Sequence, residues 1–66
     1  SYTNYKYKTI YVKSGDTLWS IALDMQANNP YYKGKDVRYI ISNLKEVNNL
    51  SNSMVYTNQE LQIPII

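Results

Sequence analysis

Of the side chains most used to move a proton or hold a metal, this chain has five carboxylates and neither histidine nor cysteine. They are Asp16, Asp24, Asp36, Glu46 and Glu60. Without imidazole or thiol, the commonest general bases, sulfur nucleophiles and zinc ligands are missing. A glycosidase built on them would need two facing each other across a cleft, one with its pKa raised by burial. Their positions argue against it. Asp16 and Asp36 stand where helices should begin and have cap roles to fill. Asp24 and Glu46 fall on the polar sides of helical stripes, and Glu60 alternates away from Leu61 and Ile63 toward solvent. A turn at Gly15 before a helix could accept an anion, but Asp16 beside it disfavours phosphate. The chain is therefore expected to be no enzyme, with no metal and no cofactor.

The elements that would position these residues begin with Ser14 to Ala22, Ser-Gly-Asp-Thr-Leu-Trp-Ser-Ile-Ala. Before it, Thr9–Lys13 alternates like a half-buried strand, with Ile10 and Val12 on one side. After it, Leu18, Ile21, Ala22 and Met25 follow the i, i+3, i+4, i+7 spacing of an amphipathic helix, expected over Thr17–Gln26. Ser14-Gly15-Asp16 is the hinge. Gly15 permits a positive φ, and Asp16 or Thr17 can cap the helix, with Asp16 the expected cap. Trp19 falls one step off the stripe and is expected to be partly buried. Ala27–Lys35 is a connector in which Pro30 and Gly34 forbid a continuous helix; its Tyr31 and Tyr32 either pack back onto the helices or project as a contact patch. From Asp36 to about Asn48, Val37, Ile40, Ile41, Leu44 and Val47 give the clearest helix of the chain. Asp36 is its cap, and Asn48-Asn49 is its stop because Asn tolerates the left-handed conformation. Leu50–Asn58 is a polar loop. Leu61 and Ile63 then alternate as a second strand, with Pro64 expected to end pairing on its side.

Sixty-six residues make one domain at most, of a size that buries only about 60% of its unfolded surface. With no cysteine to bridge, the core must come from apolar packing. The net charge of +2 and a charged fraction of 18% are far from the density of a nucleic-acid binder. No run approaches the roughly 18 apolar residues of a membrane span, and no signal peptide is recognisable. Eight tyrosines against one tryptophan and no phenylalanine should sit where one edge is wet. Residues 1–8 read as a tail or linker stub that extends the first strand, and 9–66 as the domain. The first residue being Ser, the chain is expected to be excised from a longer protein.

The opening Val12, Gly15, Asp16, Thr17, Leu18, Trp19, Ser20, Ile21, Ala22 resembles the signature of the LysM (lysin motif) family. The closing segment from Val55 to Pro64 is similar to that family's Ile-Tyr-x-Gly-Gln-x-Leu-x-Ile-Pro, with Asn58 where glycine is usual. The connector at about 27–35 is longer than the family's. The resemblance, over Ile10 to Pro64, implies an α+β fold of order βααβ: a two-stranded antiparallel sheet with two helices packed on one face. It implies a non-catalytic module for N-acetylglucosamine-containing glycans, bacterial peptidoglycan or chitin, anchoring a parent protein in the cell wall or outside the cell, without nucleic acid or membrane insertion. The family's groove, carried over, implicates Gly15, Asp16, Thr17 and Leu18 on one wall and Val55 and Tyr56 on the other, with Asn48 and Asn49 bracing the loop between.

The residue types suit that ligand. An acetamido group offers a donor, an acceptor and a methyl, which loop backbone and a small apolar patch can read. Leu18, Val55 and Tyr56 would supply the apolar contact, and Asp16 and Thr17 would bond sugar hydroxyls. The competing interpretation is that Asp16 and Thr17 only build the turn and cap. Two other readings of the whole chain stay open: a protein-interaction module in a spore-coat or cell-division assembly, using Tyr31, Tyr32 and the Tyr-rich tail, and salt-sensitive attraction of an anionic polymer to Lys6, Lys8 and Lys13.

Overall fold

The structure, a computed structural model, describes residues 6–65. Its elements run β1 (Tyr7–Tyr11), α1 (Leu18–Asn28), α2 (Val37–Val47) and β2 (Glu60–Pro64). The two strands pair antiparallel, Tyr7 opposite Pro64 through Tyr11 opposite Glu60, and the helices pack on one face of the pair. This is the expected α+β, βααβ architecture. A two-stranded sheet is marginal by itself, so its stability rests on that cover. The core joins Val12, Leu61 and Ile63 of the sheet side to Leu18, Ile21, Ala22 and Met25 of α1 and to Ile40 and Leu44 of α2.

β1 lies two residues earlier than the alternation at Thr9–Lys13 predicts, so Tyr7 and Lys8 belong to the sheet; Tyr2 and Tyr5 of the expected tail lie outside the described residues. The reason is a bulge. Val12 donates to Gln59 O (2.9 Å) and accepts from Asn58 N (2.6 Å), so two residues of one strand oppose one of the other and regular pairing stops at Tyr11. Nor does Pro64 end pairing, because Ile65 N still donates to Lys6 O (2.8 Å). Bonded pairs alternate along an antiparallel ladder. With Val12 and Lys6 bonded across it, Tyr7–Pro64 is an unbonded pair, and the missing N–H of Pro64 faces away from β1.

Helix α1 is capped by Thr17, not by Asp16. Thr17 Oγ1 accepts from Ser20 N (3.0 Å) and Ser20 Oγ accepts from Thr17 N (2.9 Å), a reciprocal capping box. Asp16 is held elsewhere, its Oδ2 accepting from Lys13 N. Trp19 is 51% exposed rather than packed on the core, its position falling about 100° round the helix from the buried Leu18. Asp36 caps α2 as expected, accepting from Arg38 N at 2.7 Å. Asn48 and Asn49 end it: Asn49 takes φ 59°, while Leu50 N bonds Lys45 O and Asn49 N bonds Glu46 O. That pairing of 6→1 and 5→2 bonds is a Schellman motif.

The connector packs back. Tyr32 is fully buried, 0% exposed, with its hydroxyl taking a bond from Asn43 Nδ2 (3.2 Å). Burial raises the pKa of that hydroxyl above the ordinary value of 10.0, the bond from Asn43 opposing the shift only in part. Tyr31 meets the Tyr32 ring edge-on, centroids 4.8 Å apart. Asn29, buried behind them, donates to Pro64 O (2.7 Å) and accepts from Tyr31 N (2.9 Å), tying the end of α1 to β2.

Candidate functional site

Two turns leave the same end of the sheet. The first, Lys13–Asp16, closes with Asp16 N donating to Lys13 O (3.0 Å), while the Asp16 carboxylate returns a bond to Lys13 N (3.1 Å). Its third residue, Gly15, has φ 87°, the sign a type II turn requires there. The second turn, Tyr56–Gln59, closes with Gln59 N donating to Tyr56 O (2.9 Å) and Gln59 Oε1 accepting from Tyr56 N (2.8 Å). Its third residue, Asn58, has φ 69° and is also the first residue of the bulge opposite Val12. Asparagine is the side-chain-bearing residue that tolerates this region best, so the turn forms without glycine. Val12 bonds to both Asn58 and Gln59 and immediately precedes the first turn. Both turns therefore hang from one residue.

The predicted site residues divide into three groups. Gly15, Asp16 and Thr17 lie on the first turn and cap, with Gly15 and Thr17 exposed and Asp16 half-buried. Asp16 Oδ1 has no hydrogen bond among the described residues, and the Thr17 hydroxyl, an acceptor for Ser20, has its proton left to donate. Tyr56 is 65% exposed on the second turn, and Val55 beside it is half-buried against the core. Leu18 is different: at 1% exposed its side chain belongs to the core, and the apolar surface expected of it is not there. Asn48 is a brace in full use. Its Nδ2 donates to Leu44 O and Gln62 O (both 3.0 Å), and its Oδ1 accepts from Gln62 N (2.7 Å). Asn49 supplies the left-handed residue that turns the chain into the loop.

Sequence reasoning passed over Ser20 and Gln59, whose side chains hold the two turns. The spacing Thr17-x-x-Ser20 was the available signal for the first, since it places a second hydroxyl at the third helical position. Exposed Met54, two residues before Tyr56, and Trp19, one residue after Leu18, add apolar surface to the same two segments. The concave surface adjoins the first turn and not the second. A cleft between β1 and α1 has a volume of about 140 Å³ near Lys8, Met25 and Ile65, and about 370 Å³ near Lys13, Asp16 and Ser20. Ile10, Ile21 and Asp24 line both parts; neither is lined by Val55 or Tyr56.

The LysM domain family model matches residues 10–64. The chain belongs to the LysM family. No curated protein and no solved structure matches it. LysM domains are generally non-catalytic modules that bind N-acetylglucosamine-containing glycans such as peptidoglycan and chitin, and they typically occur in extracellular or cell-wall proteins. Among the described residues no helix is long and apolar enough to cross a membrane. Asn58 lies inside the matched segment and has a positive φ. The connector lies inside it too, and its turn buries Tyr32.

Proposed function

We propose that this LysM domain is a non-catalytic carbohydrate-binding module for N-acetylglucosamine-containing glycans, peptidoglycan first and chitin second, and that it anchors a parent protein to the bacterial cell wall. The observation that supports this reading best is the shared attachment of the two turns to Val12, which sets Gly15–Thr17 and Val55–Tyr56 at one end of the sheet. Asp16 Oδ1 and the Thr17 hydroxyl then bond sugar hydroxyls or an acetamide N–H, while Tyr56 and Val55 cover the methyl and a sugar face. Leu18 contributes by fixing the start of α1 in the core, and Asn48 and Asn49 by fixing the start of the second loop. A site built of two exposed turns binds one sugar weakly, so retention grows with the length of the polymer or the number of modules. The protein-interaction reading loses one of its supports, since Tyr32 is in the core.

The test is an NMR titration of the labelled domain with chito-oligosaccharides of increasing length. Shifts confined to Gly15–Thr17 and Val55–Tyr56, tightening as the oligomer lengthens, are the expected result. A spectrum unchanged at millimolar ligand, together with no retention on protein-free peptidoglycan at low or high salt, refutes it.

A further inference from the structure

The first turn opens into the cleft between β1 and α1, and the charges along that cleft are ordered. Lys13 lines only the part beside the turn, Lys8 lines only the far part, and Asp24 lines both. Outward from the turn the charges therefore run positive, negative, positive. Asp16, at the mouth, is already tied to Lys13 N. Lys13, Asp24 and Lys8 are all exposed, and none makes an ion pair among the described residues. Asp24 is engaged through Oδ1 alone, which accepts from Asn28 Nδ2 (2.8 Å). Ile10, Ile21 and Met25 give the cleft an apolar floor. Helix α1 advances about 12 Å from Ser20 to Asn28, the reach of about three to four residues of extended peptide. Tyr11 lines the same cleft, and because Ile10 and Val12 bond toward β2, its backbone N–H and C=O face away from that strand.

We propose that this cleft holds the stem peptide of peptidoglycan, an inference that rests on the glycan reading of the two turns and extends it. Peptidoglycan differs from chitin in carrying a lactyl-linked peptide on alternate sugars. An uncrosslinked tetrapeptide stem with a diamino acid displays a carboxylate on its second residue, an ammonium on its third and a carboxylate at its end. Outward from the sugar that order is negative, positive, negative, the complement of Lys13, Asp24 and Lys8 outward from the turn. The lactyl link fixes the direction. With the sugar at Gly15–Thr17, the first carboxylate meets Lys13, the ammonium meets Asp24 Oδ2, and the terminal carboxylate meets Lys8. The alanine methyls of the stem lie on Ile10, Ile21 and Met25, and the outward N–H and C=O of Tyr11 bond a stem amide. Chitin is unbranched and uncharged, and leaves the cleft empty. Exposed charge contacts add little affinity one by one; an ordered set of them discriminates between ligands. The cleft is therefore what would make peptidoglycan the better ligand.

The test is an amide-shift titration of the full ¹⁵N-labelled chain with three tetrasaccharides, each to millimolar concentration. They are chitotetraose, a peptide-free peptidoglycan fragment with its lactyl carboxylates amidated, and the same fragment bearing uncrosslinked tetrapeptides. All three should shift Gly15–Thr17 and Val55–Tyr56. Only the peptide-bearing fragment should also shift Lys8, Ile10, Asp24 and Asn28, and it should bind about tenfold tighter than the peptide-free one, the yield of three exposed charge contacts. Lys8→Glu and Asp24→Lys, both at exposed positions, should each remove most of that advantage. Acetylating the stem ammonium should weaken binding to the parent chain and not to Asp24→Asn. Equal binding of the two peptidoglycan fragments with the cleft amides silent overturns this inference and leaves the glycan reading standing, as does an advantage that survives both charge reversals. Turns that stay silent toward all three ligands while the peptide-bearing fragment shifts the cleft overturn the glycan reading and keep the stem site. Silence throughout overturns both.

Discussion

The connector side and the turn end of this domain are built by opposite means. At the turn end every bond spans three or four residues, apart from the two that Val12 makes to Asn58 and Gln59. Its side chains Asp16, Thr17 and Tyr56 hold the backbone or face solvent, and only Leu18 and Val55 reach the core. The connector instead works through partners distant in sequence: Asn29 with Pro64, Tyr32 with Asn43 and with the core of both helices. The difference teaches where each kind of substitution should register. Connector changes should alter folding and leave recognition intact in whatever remains folded. Turn changes should do the reverse.

The sharpest break of that division is Tyr32→Ala. Emptying a fully buried aromatic site costs about 3–5 kcal/mol, against the roughly 3–10 kcal/mol that a domain of this length holds in total. Chemical denaturation should show most of the stability gone. Asn29→Ala leaves the Pro64 carbonyl without its buried donor and frees Tyr31 N; about 2 kcal/mol, or roughly 10 °C in Tm, should be lost, with unchanged glycan shifts at 25 °C. Tyr56→Ala should do the opposite, weakening chito-oligosaccharide binding by about tenfold (about 1.4 kcal/mol) with no change in Tm. A Tyr56→Ala variant that melts early would erase the division. Asn58 is the exception among the turn residues, because what it supplies is a backbone conformation and not a contact. Ala there should cost about 1 kcal/mol for the left-handed backbone, whereas Asn58→Gly should be neutral or gain a few tenths, both by denaturant midpoint.

The smallest effect concerns alkali. The Tyr32 hydroxyl has its pKa raised in the folded state, so the folded form holds a proton that the unfolded chain has already released. Its contribution is complete below the unfolded value near 10 and declines as pH rises from there through the folded pKa. Tyr32→Phe removes that decline. Stability measured between neutral pH and pH 11 should fall less steeply in Tyr32→Phe than in the parent chain.

Much of this was legible in residue order. The stripes Leu18/Ile21/Ala22/Met25 and Val37/Ile40/Ile41/Leu44 fixed both helices, because a helical face repeats within one short segment. Asp36 and Asn49 marked a cap and a left-handed helix end for equally local reasons, each residue type carrying its own backbone preference. Other features were decided by the tertiary structure, since they depend on what lies opposite. The choice of Thr17 over Asp16 as cap follows from the Lys13–Asp16 turn that claims the carboxylate. The early end of β1 follows from a bulge on the other strand. The burial of Tyr32 follows from a space between helices that only their packing creates, and the bonds from Asn48 to Gln62 and from Asn29 to Pro64 follow from where two helices end. Periodicity is written in neighbours; partners at a distance are chosen by the fold.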